Sequence, residues 1–455
     1  MDNLFSKYLN RVEETDTIRF TGEVIRVNGM LIESRGPQSV VGEVCSIEIP
    51  YSKESVLAEV IGLDGTTVKL MAYGETKGIE IGSRVTASGE VLKVGVGKEL
   101  LGRVLDATGH AYDRKGEIIP ETYYPAVASP PDPLDRKPIK ERIVTGIRAV
   151  DSLLAAGKGQ RFAIMAGSGV GKSTLLGMIA RNTNADVNVI ALIGERGREV
   201  LDFINHDLGP EGLKRSVIIA ATSDQSPLCW LRGAYVATAV AEYFRDQGKD
   251  VMLMFDSVTR FARAQRDIGN TIGEPPAQRG YPPSVFGLLP KLLERAGTSL
   301  KGTITAFYTV LVDGDDMNEP IADTVRATLD GHIVLNRKLA DSFHFPAIDI
   351  LASISRLSSV VMGPVTKEVY AKIRRLIASY AQNEDMITVG AYKRGSSPDV
   401  DAAIDAHQAI EEFLMQKVEE PAPVRETLQK FGALVGIEIP EEELAAAESS
   451  GFSQR

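Results

Sequence analysis

The stretch Phe162-Ala163-Ile164-Met165-Ala166-Gly167-Ser168-Gly169-Val170-Gly171-Lys172-Ser173-Thr174-Leu175-Leu176-Gly177-Met178 decides how the chain folds. Its apolar start reads as a buried strand, a glycine-rich turn follows, and a helical pattern opens at Leu175. Glycines at 167, 169 and 171 let successive amides turn toward an anion, and the helix N-terminus adds partial positive charge. This is a P-loop in its proper setting. Lys172 is spaced to reach the β- and γ-phosphates of a nucleotide, and Ser173 offers a hydroxyl to Mg2+. Gly167, Ser168, Gly169, Val170, Gly171, Lys172, Ser173 and Thr174 are therefore the candidate nucleotide contacts. The strict pattern G-x-x-x-x-G-K-[ST] begins with glycine, and Ala166 is the mildest replacement.

Around this segment, between about 145 and 345, apolar runs alternate with helical patterns: Val187–Ile193, Val217–Ala221, Val251–Phe255, Thr303–Val310 and His332–Leu335. Near-continuous apolar strands bounded by helices predict a mostly parallel sheet covered on both faces. Upstream, short β-branched runs at 20–27, 55–61 and 67–71, punctuated by Gly29, Gly42, Gly62, Gly65 and Gly82, predict a small β-barrel. A proline-rich stretch, Ala128-Ser129-Pro130-Pro131-Asp132-Pro133-Leu134, marks an irregular connection. Downstream, 367–382, 400–417 and 423–431 read as helices, with the residues from Glu441 onward expected to be loosely held. The expected class is α/β: a RecA-like P-loop core preceded by a small β-barrel and followed by a helical domain. The domains expected are an amphipathic helix over 1–18, the barrel over 19–92, the P-loop domain with its connecting segment over 93–345, and the helical domain over 346–455.

Two further segments carry phosphate chemistry. Val251-Met252-Leu253-Met254-Phe255-Asp256 is a buried-strand pattern ending in a carboxylate at the edge where open α/β sheets bind ligands, which makes Asp256 the candidate outer-sphere Mg2+ ligand. Ile193-Gly194-Glu195-Arg196-Gly197-Arg198-Glu199 ends the strand after the P-loop helix. A carboxylate there can aim and polarise water at the γ-phosphate, so Glu195 is the candidate general base. Glu199 fits a solvated loop better. Arg196 is the candidate γ-phosphate contact.

The combination of Gly194-Glu195-Arg196-Gly197-Arg198-Glu199-Val200, Asp256-Ser257-Val258-Thr259-Arg260-Phe261-Ala262 and Gly273-Glu274-Pro275-Pro276-Ala277-Gln278-Arg279-Gly280-Tyr281-Pro282-Pro283-Ser284 closely resembles the flagellar protein-export ATPase (FliI) family, relatives of the rotary ATP synthase catalytic subunits. The resemblance spans nearly the whole chain. It implies an Mg2+-dependent ATPase working as a homohexamer with ATP bound between neighbouring subunits. It also implies that Arg356, in Phe345-Pro346-Ala347-Ile348-Asp349-Ile350-Leu351-Ala352-Ser353-Ile354-Ser355-Arg356, is an arginine finger for the adjacent site. Phe345 falls where an aromatic packs on adenine, with Tyr392 as a second wall, so nucleotide preference should be loose. The acidic loop Asp313-Gly314-Asp315-Asp316-Met317-Asn318-Glu319-Pro320 does not match the EF-hand spacing and by resemblance faces the ring centre, toward a central stalk protein or cargo. The other partners implied are a stator-like regulator at the N-terminal helix, export chaperones with their cargo, and a membrane gate reached through those partners.

Composition fits this expectation. The chain has 455 residues with 44% hydrophobic and 25% charged, an ordinary folded protein. A net charge of -10 argues against a chain-wide nucleic-acid footprint. Cys45 and Cys229 form no metal-ligand or redox pair. No apolar run of about 18 residues and no signal peptide is present, so a cytoplasmic protein is expected, peripheral to a membrane export apparatus. Three other readings share many of these motifs. The homologous ATPase of a virulence-type injection apparatus is nearly identical in pattern. A rotary ATP synthase subunit would need a partner of similar fold to provide the finger. A ring helicase would need a basic and aromatic stripe in the barrel, which is not evident.

Overall fold

The computed structural model describes residues 19–52, 54–312 and 316–449. The helix expected over 1–18, and Asp313, Gly314 and Asp315 of the acidic loop, lie outside the described residues.

The barrel forms as expected. Six antiparallel strands, β1 (Thr21–Asn28), β2 (Leu31–Arg35), β3 (Glu43–Glu48), β4 (Ser55–Asp64), β5 (Thr67–Ala72) and β6 (Arg84–Val91), close in the order β1-β2-β5-β4-β3-β6. Alternate residues turn inward, so Val24, Ile32, Cys45, Ile47, Val60, Leu70 and Val85 fill the interior. The barrel is fastened to the rest of the chain by a buried ion pair. Glu59 on β4 accepts from Arg232 Nε at 2.7 Å and from the Tyr73 hydroxyl at 2.6 Å.

The core is a sheet ordered β14 (Ile348–Ser355), β13 (Gly331–Leu335), β8 (Arg161–Ala166), β12 (Thr303–Leu311), β11 (Asp250–Asp256), β9 (Val187–Glu195), β10 (Ser216–Thr222), β7 (Val104–Leu105). These pairings are parallel except that of β13 with β14. Side chains along each strand alternate between the two faces. Ala163, Met165, Val189, Ala191 and Ile193 join one hydrophobic cluster, with helices α2 (Pro227–Asp246), α3 (Val258–Ile272) and α4 (Pro283–Leu293). Phe162, Ile164, Ala166, Ile190 and Leu192 join the other, under the P-loop helix α1 (Lys172–Asn182) and the C-terminal helices. The connecting segment is more regular than its prolines imply. It contributes β7 to the sheet edge, and Thr122–Pro125 pairs antiparallel with Lys93–Val96.

The C-terminal helices are α5 (Pro364–Thr388), α6 (Pro398–Leu414), α7 (Val424–Ala433) and α8 (Glu441–Ser449). Proline at the first helical position starts α5 and α6 earlier than expected. Helix α6 stops at Leu414 because the chain then runs extended, with Gln416 N donating to Phe345 O at 2.9 Å. The expectation of a loose tail from Glu441 is wrong as far as Ser449. Leu444 and Ala447 are buried, and Glu443 accepts from Val365 N at 2.8 Å and Thr366 N at 2.9 Å, capping α5. Cys45 and Cys229 are both free and buried.

Candidate active site

The P-loop leaves the C-terminal end of β8, and the helix that follows begins at Lys172 with Gly171 as its N-cap. Gly169 and Gly171 adopt φ of +78° and +89°, left-handed conformations that glycine tolerates. At Gly171 a Cβ would meet the Phe345 ring at an ordinary contact distance of 3.6 Å, so it is the positive φ that calls for glycine there. Ala166 is the last residue of a buried strand, in the parallel register with Leu311 and Leu335, so extended geometry admits its methyl group.

Three strand ends converge on Lys172. Its Nζ donates to Asp256 Oδ1 at 2.6 Å and lies 3.8 Å from Glu195 Oε1. Thr309 on β12 donates to the same Asp256 oxygen at 2.8 Å, which fixes the carboxylate. Burial alone would lower the Lys172 ammonium, but the two carboxylates outweigh it and the net shift is upward. Burial, reinforced by the charge of Asp256 and only partly offset by Lys172, pushes Glu195 up to about 7. A carboxyl poised near neutrality is suited to proton transfer. Arg260 adds a further cation beside Lys172. Its side chain packs where a Cβ on Gly194 would fall, at 3.0 Å, and its buried Nε has no hydrogen-bond partner among the described residues.

Beside the P-loop opens a cavity of about 790 Å³, lined by Val170, Gly171, Thr174, Phe345, Glu412 and Gln416 among others. Phe345 is part-exposed there. The polar groups at its back are already engaged. Gln416 Oε1 accepts from Arg148 N at 2.9 Å, and its amide donates to Gly146 O at 2.9 Å and Glu420 O at 3.0 Å. The Arg148 guanidinium is bonded to Phe413 O, Met415 O and Glu420. An aromatic wall with committed polar neighbours holds a planar base without reading its edge closely.

Other candidate residues fall elsewhere. Tyr392 sits in the turn between α5 and α6, donating to Ser397 O and Asp401 at 3.0 Å, and is not among the residues lining the cavity. Arg196 sits at the N-cap of a short helix with its side chain in solvent, 3.5 Å from Glu199, a carboxylate that itself bonds Glu195. Arg356 follows β14, whose last residue Ser355 pairs with Gly331, which in turn pairs with Phe162 at the start of β8. The P-loop leaves the other end of that strand, so Arg356 stands at the opposite end of β8 from the P-loop.

Three domain families match the chain: the ATP synthase alpha/beta family β-barrel domain over residues 24–89, the nucleotide-binding domain of the same family over 146–355, and the type III secretion EscN ATPase C-terminal domain over 363–433. The flagellum-specific ATP synthase of Treponema pallidum is 56% identical over 96% of this chain and 98% of its own length. The chain belongs to the family of flagellar and type III secretion ATPases. The flagellum-specific ATP synthase of Bacillus subtilis is 53% identical over 94% of this chain and 98% of its own length. The type 3 secretion system ATPase of Xanthomonas euvesicatoria is 48% identical over 90% of this chain and 92% of its own. Among solved structures, the assembled ATPase EscN of the enteropathogenic E. coli type III secretion system superposes with a TM-score of 0.87 at 44% identity, covering 91% of this chain and all of that one. EscN has also been solved in complex with its central stalk EscO.

Membership bears out the fold class, the resemblance and the enzyme class read from the sequence: this is an ATP-hydrolysing member of the export ATPase family. Sequence reasoning did not single out Thr309 or Arg260 for the site. Thr309 is one of four hydroxyl residues in a long buried strand, and only the neighbouring position of β11 and β12 brings it to Asp256. Arg260 was legible in principle, since it lies four residues beyond Asp256, in the first turn of α3 at the carboxyl edge of the sheet.

Proposed function

We propose that this ATPase hydrolyses Mg-ATP at the interfaces of a homohexameric ring and thereby drives export of flagellar subunits through a type III apparatus. The observation that carries the reading is the Lys172 cluster, where one ammonium stands between Asp256 and a Glu195 carboxyl poised near pH 7, beside an aromatic-walled cavity.

The residues fit both nucleotide and metal. The P-loop amides and helix α1 suit a triphosphate. A hydroxyl with a carboxylate is a hard-oxygen donor set of the kind Mg2+ takes when phosphates supply other ligands. Ser173 and Asp256 would hold Mg2+, which when bound neutralises phosphate charge. Lys172 then exchanges part of its hold on Asp256 for phosphate oxygens. Glu195 orients a water and takes its proton as it attacks the γ-phosphorus, while the bridging oxygen leaves with ADP. Arg260 stands beside Lys172 as an added charge for the phosphates. Phe345 stacks on the base.

Arg356 completes a neighbour's site in this reading, because it lies at the wrong edge of the sheet for its own. The assembled EscN structure and its complex with a central stalk support a ring with a stalk partner for this chain. The identities of 56% and 53% to flagellum-specific ATP synthases favour the flagellar assignment over the virulence-type one. Contacts with a stator-like regulator, export chaperones and a membrane gate, and a cytoplasmic place at the export apparatus, belong to the same reading. Among the described residues no helix is long and apolar enough to cross a membrane, so membrane association would come through partners.

The deciding experiment is ATP turnover per subunit as a function of protein concentration. Shared sites demand a steep rise as rings assemble. Turnover per subunit that stays constant down to a monomeric sample would refute interface catalysis.

A further inference from the structure

Arg356 leaves the fold through a built anchorage rather than a free loop. The residue before it, Ser355, has its hydroxyl accepting from Gln160 Nε2 at 3.1 Å and donating to Ala155 O at 2.8 Å. Gln160 is fully buried, and its side chain is wholly committed. The carbonyl oxygen accepts from Gly157 N at 2.9 Å, and the amide also donates to Asp330 O at 3.2 Å. That same Asp330 carbonyl accepts from Arg356 N at 3.0 Å. The Asp330 carboxylate is in turn gripped by Arg161, through Nε at 3.0 Å and Nη2 at 3.2 Å. The Arg356 guanidinium rests 3.4 Å from Arg326 O, in the last turn of the helix Pro320–Thr328, where carbonyls carry partial negative charge.

We propose that Gln160, acting through Ser355 and the Asp330 carbonyl, is a positioning residue for Arg356, and that β8 ties the finger a subunit lends to its neighbour to that subunit's own P-loop. The inference rests on the reading of Arg356 as an in-trans finger. Its physical content is the strand itself. Gln160 and Arg161 stand at the start of β8, and the P-loop begins at its end, roughly 16 Å away for five residue steps. Parallel neighbours on both sides, β12 and β13, keep that strand from bending independently. A buried amide serving three partners across three segments is a costly group to leave unsatisfied, so its arrangement fixes one geometry. Phosphoryl transfer depends on such placement, since a misplacement of about 1 Å can cost on the order of 10²-fold in rate.

The test uses the full chain assembled into rings. Gln160→Ala is expected to bind a fluorescent ATP analogue normally and to keep its KM, while kcat falls by about 10- to 100-fold. Rings formed from Gln160→Ala and Lys172→Ala subunits together should then regain turnover, because the Lys172→Ala subunit presents an intact finger to an intact P-loop. A defect that was merely structural would not be relieved this way. Arg356→Ala is mixed with Lys172→Ala in parallel. Rescue of Arg356→Ala without rescue of Gln160→Ala overturns the positioning role alone, and rescue of neither overturns the finger reading with it. Should Gln160→Ala fail to fold, Ser355→Ala removes a single hydroxyl and is expected to show a smaller kcat loss with the same rescue. Unchanged kcat in Ser355→Ala overturns the inference.

Discussion

Lys172 and Asp256, 84 residues apart in sequence, are joined by a 2.6 Å hydrogen bond between two side chains that are almost wholly buried. The pair is preorganised at the mouth of the P-loop, so the lysine is held where phosphate oxygens would arrive. Lys172→Ala is expected to abolish ATP binding and turnover together. It should also lower stability by about 3–5 kcal/mol, because Asp256 is left buried without its counter-charge. Nucleotide titration and chemical denaturation of the same variant check both arms. A variant that still turns over ATP at the native rate would remove the basis of the proposed site.

Glu195 gives the pH dependence. In the proposed mechanism only its ionised form takes a proton from water, and burial raises its carboxyl from the ordinary 4.5 to about 7. Turnover should therefore rise with pH through about 7 and level off above it. The stability contribution has the opposite sign: a raised carboxyl stabilises the fold most below about 4.5 and loses that contribution as pH climbs through 7. Glu195→Gln should bind ATP, lose about 10²- to 10⁴-fold in turnover, and flatten both profiles. A pH profile for Glu195→Gln with the native inflection would assign that inflection to another group.

Phe345 should separate binding from chemistry. Phe345→Ala removes a stacking face worth about 1–3 kcal/mol. It is expected to raise KM for ATP while leaving kcat within a few-fold, and Phe345→Tyr should restore the native KM. Steady-state kinetics with ATP and GTP checks this, and similar KM values for the two bases would agree with the committed amides around the cavity.

The barrel attachment supplies a stability prediction remote from the site. Glu59→Gln or Arg232→Met leaves one buried charge without its partner and should cost about 3–5 kcal/mol. The double variant should recover part of that loss, since it removes both charges. Denaturant unfolding of the four proteins measures the coupling. Additive losses would mean that the pair does not hold the barrel in place.

The parts of this molecule readable in sequence are those whose chemistry is local. Glycines at 169 and 171 declare the P-loop because their positive φ is a property of the backbone at those positions. Strands such as Val187–Glu195 declare themselves because a parallel strand buried on both faces must be apolar almost throughout. What sequence missed depends on who meets whom. Glu443 falls in a tail expected to be loosely held, and only the return of the chain to α5 makes it a cap. Tyr392 looked like a base wall by resemblance, whereas within one chain its hydroxyl is spent on Ser397 and Asp401. Arg356 stood apart from other loop arginines only by resemblance, and the sheet order adds that it lies at the end of β8 opposite the P-loop.

The two cysteines have a practical bearing. Cys45 is sealed inside the barrel, and burial, with the nearby charge of Glu43, pushes its thiol up to about 12. Burial likewise pushes Cys229 up, so neither yields a reactive thiolate near neutral pH. The native chain is therefore expected to resist maleimide dyes. A single Val389→Cys at an exposed turn would carry the only label, and fluorescence could follow subunits joining and leaving without the natural thiols being replaced first.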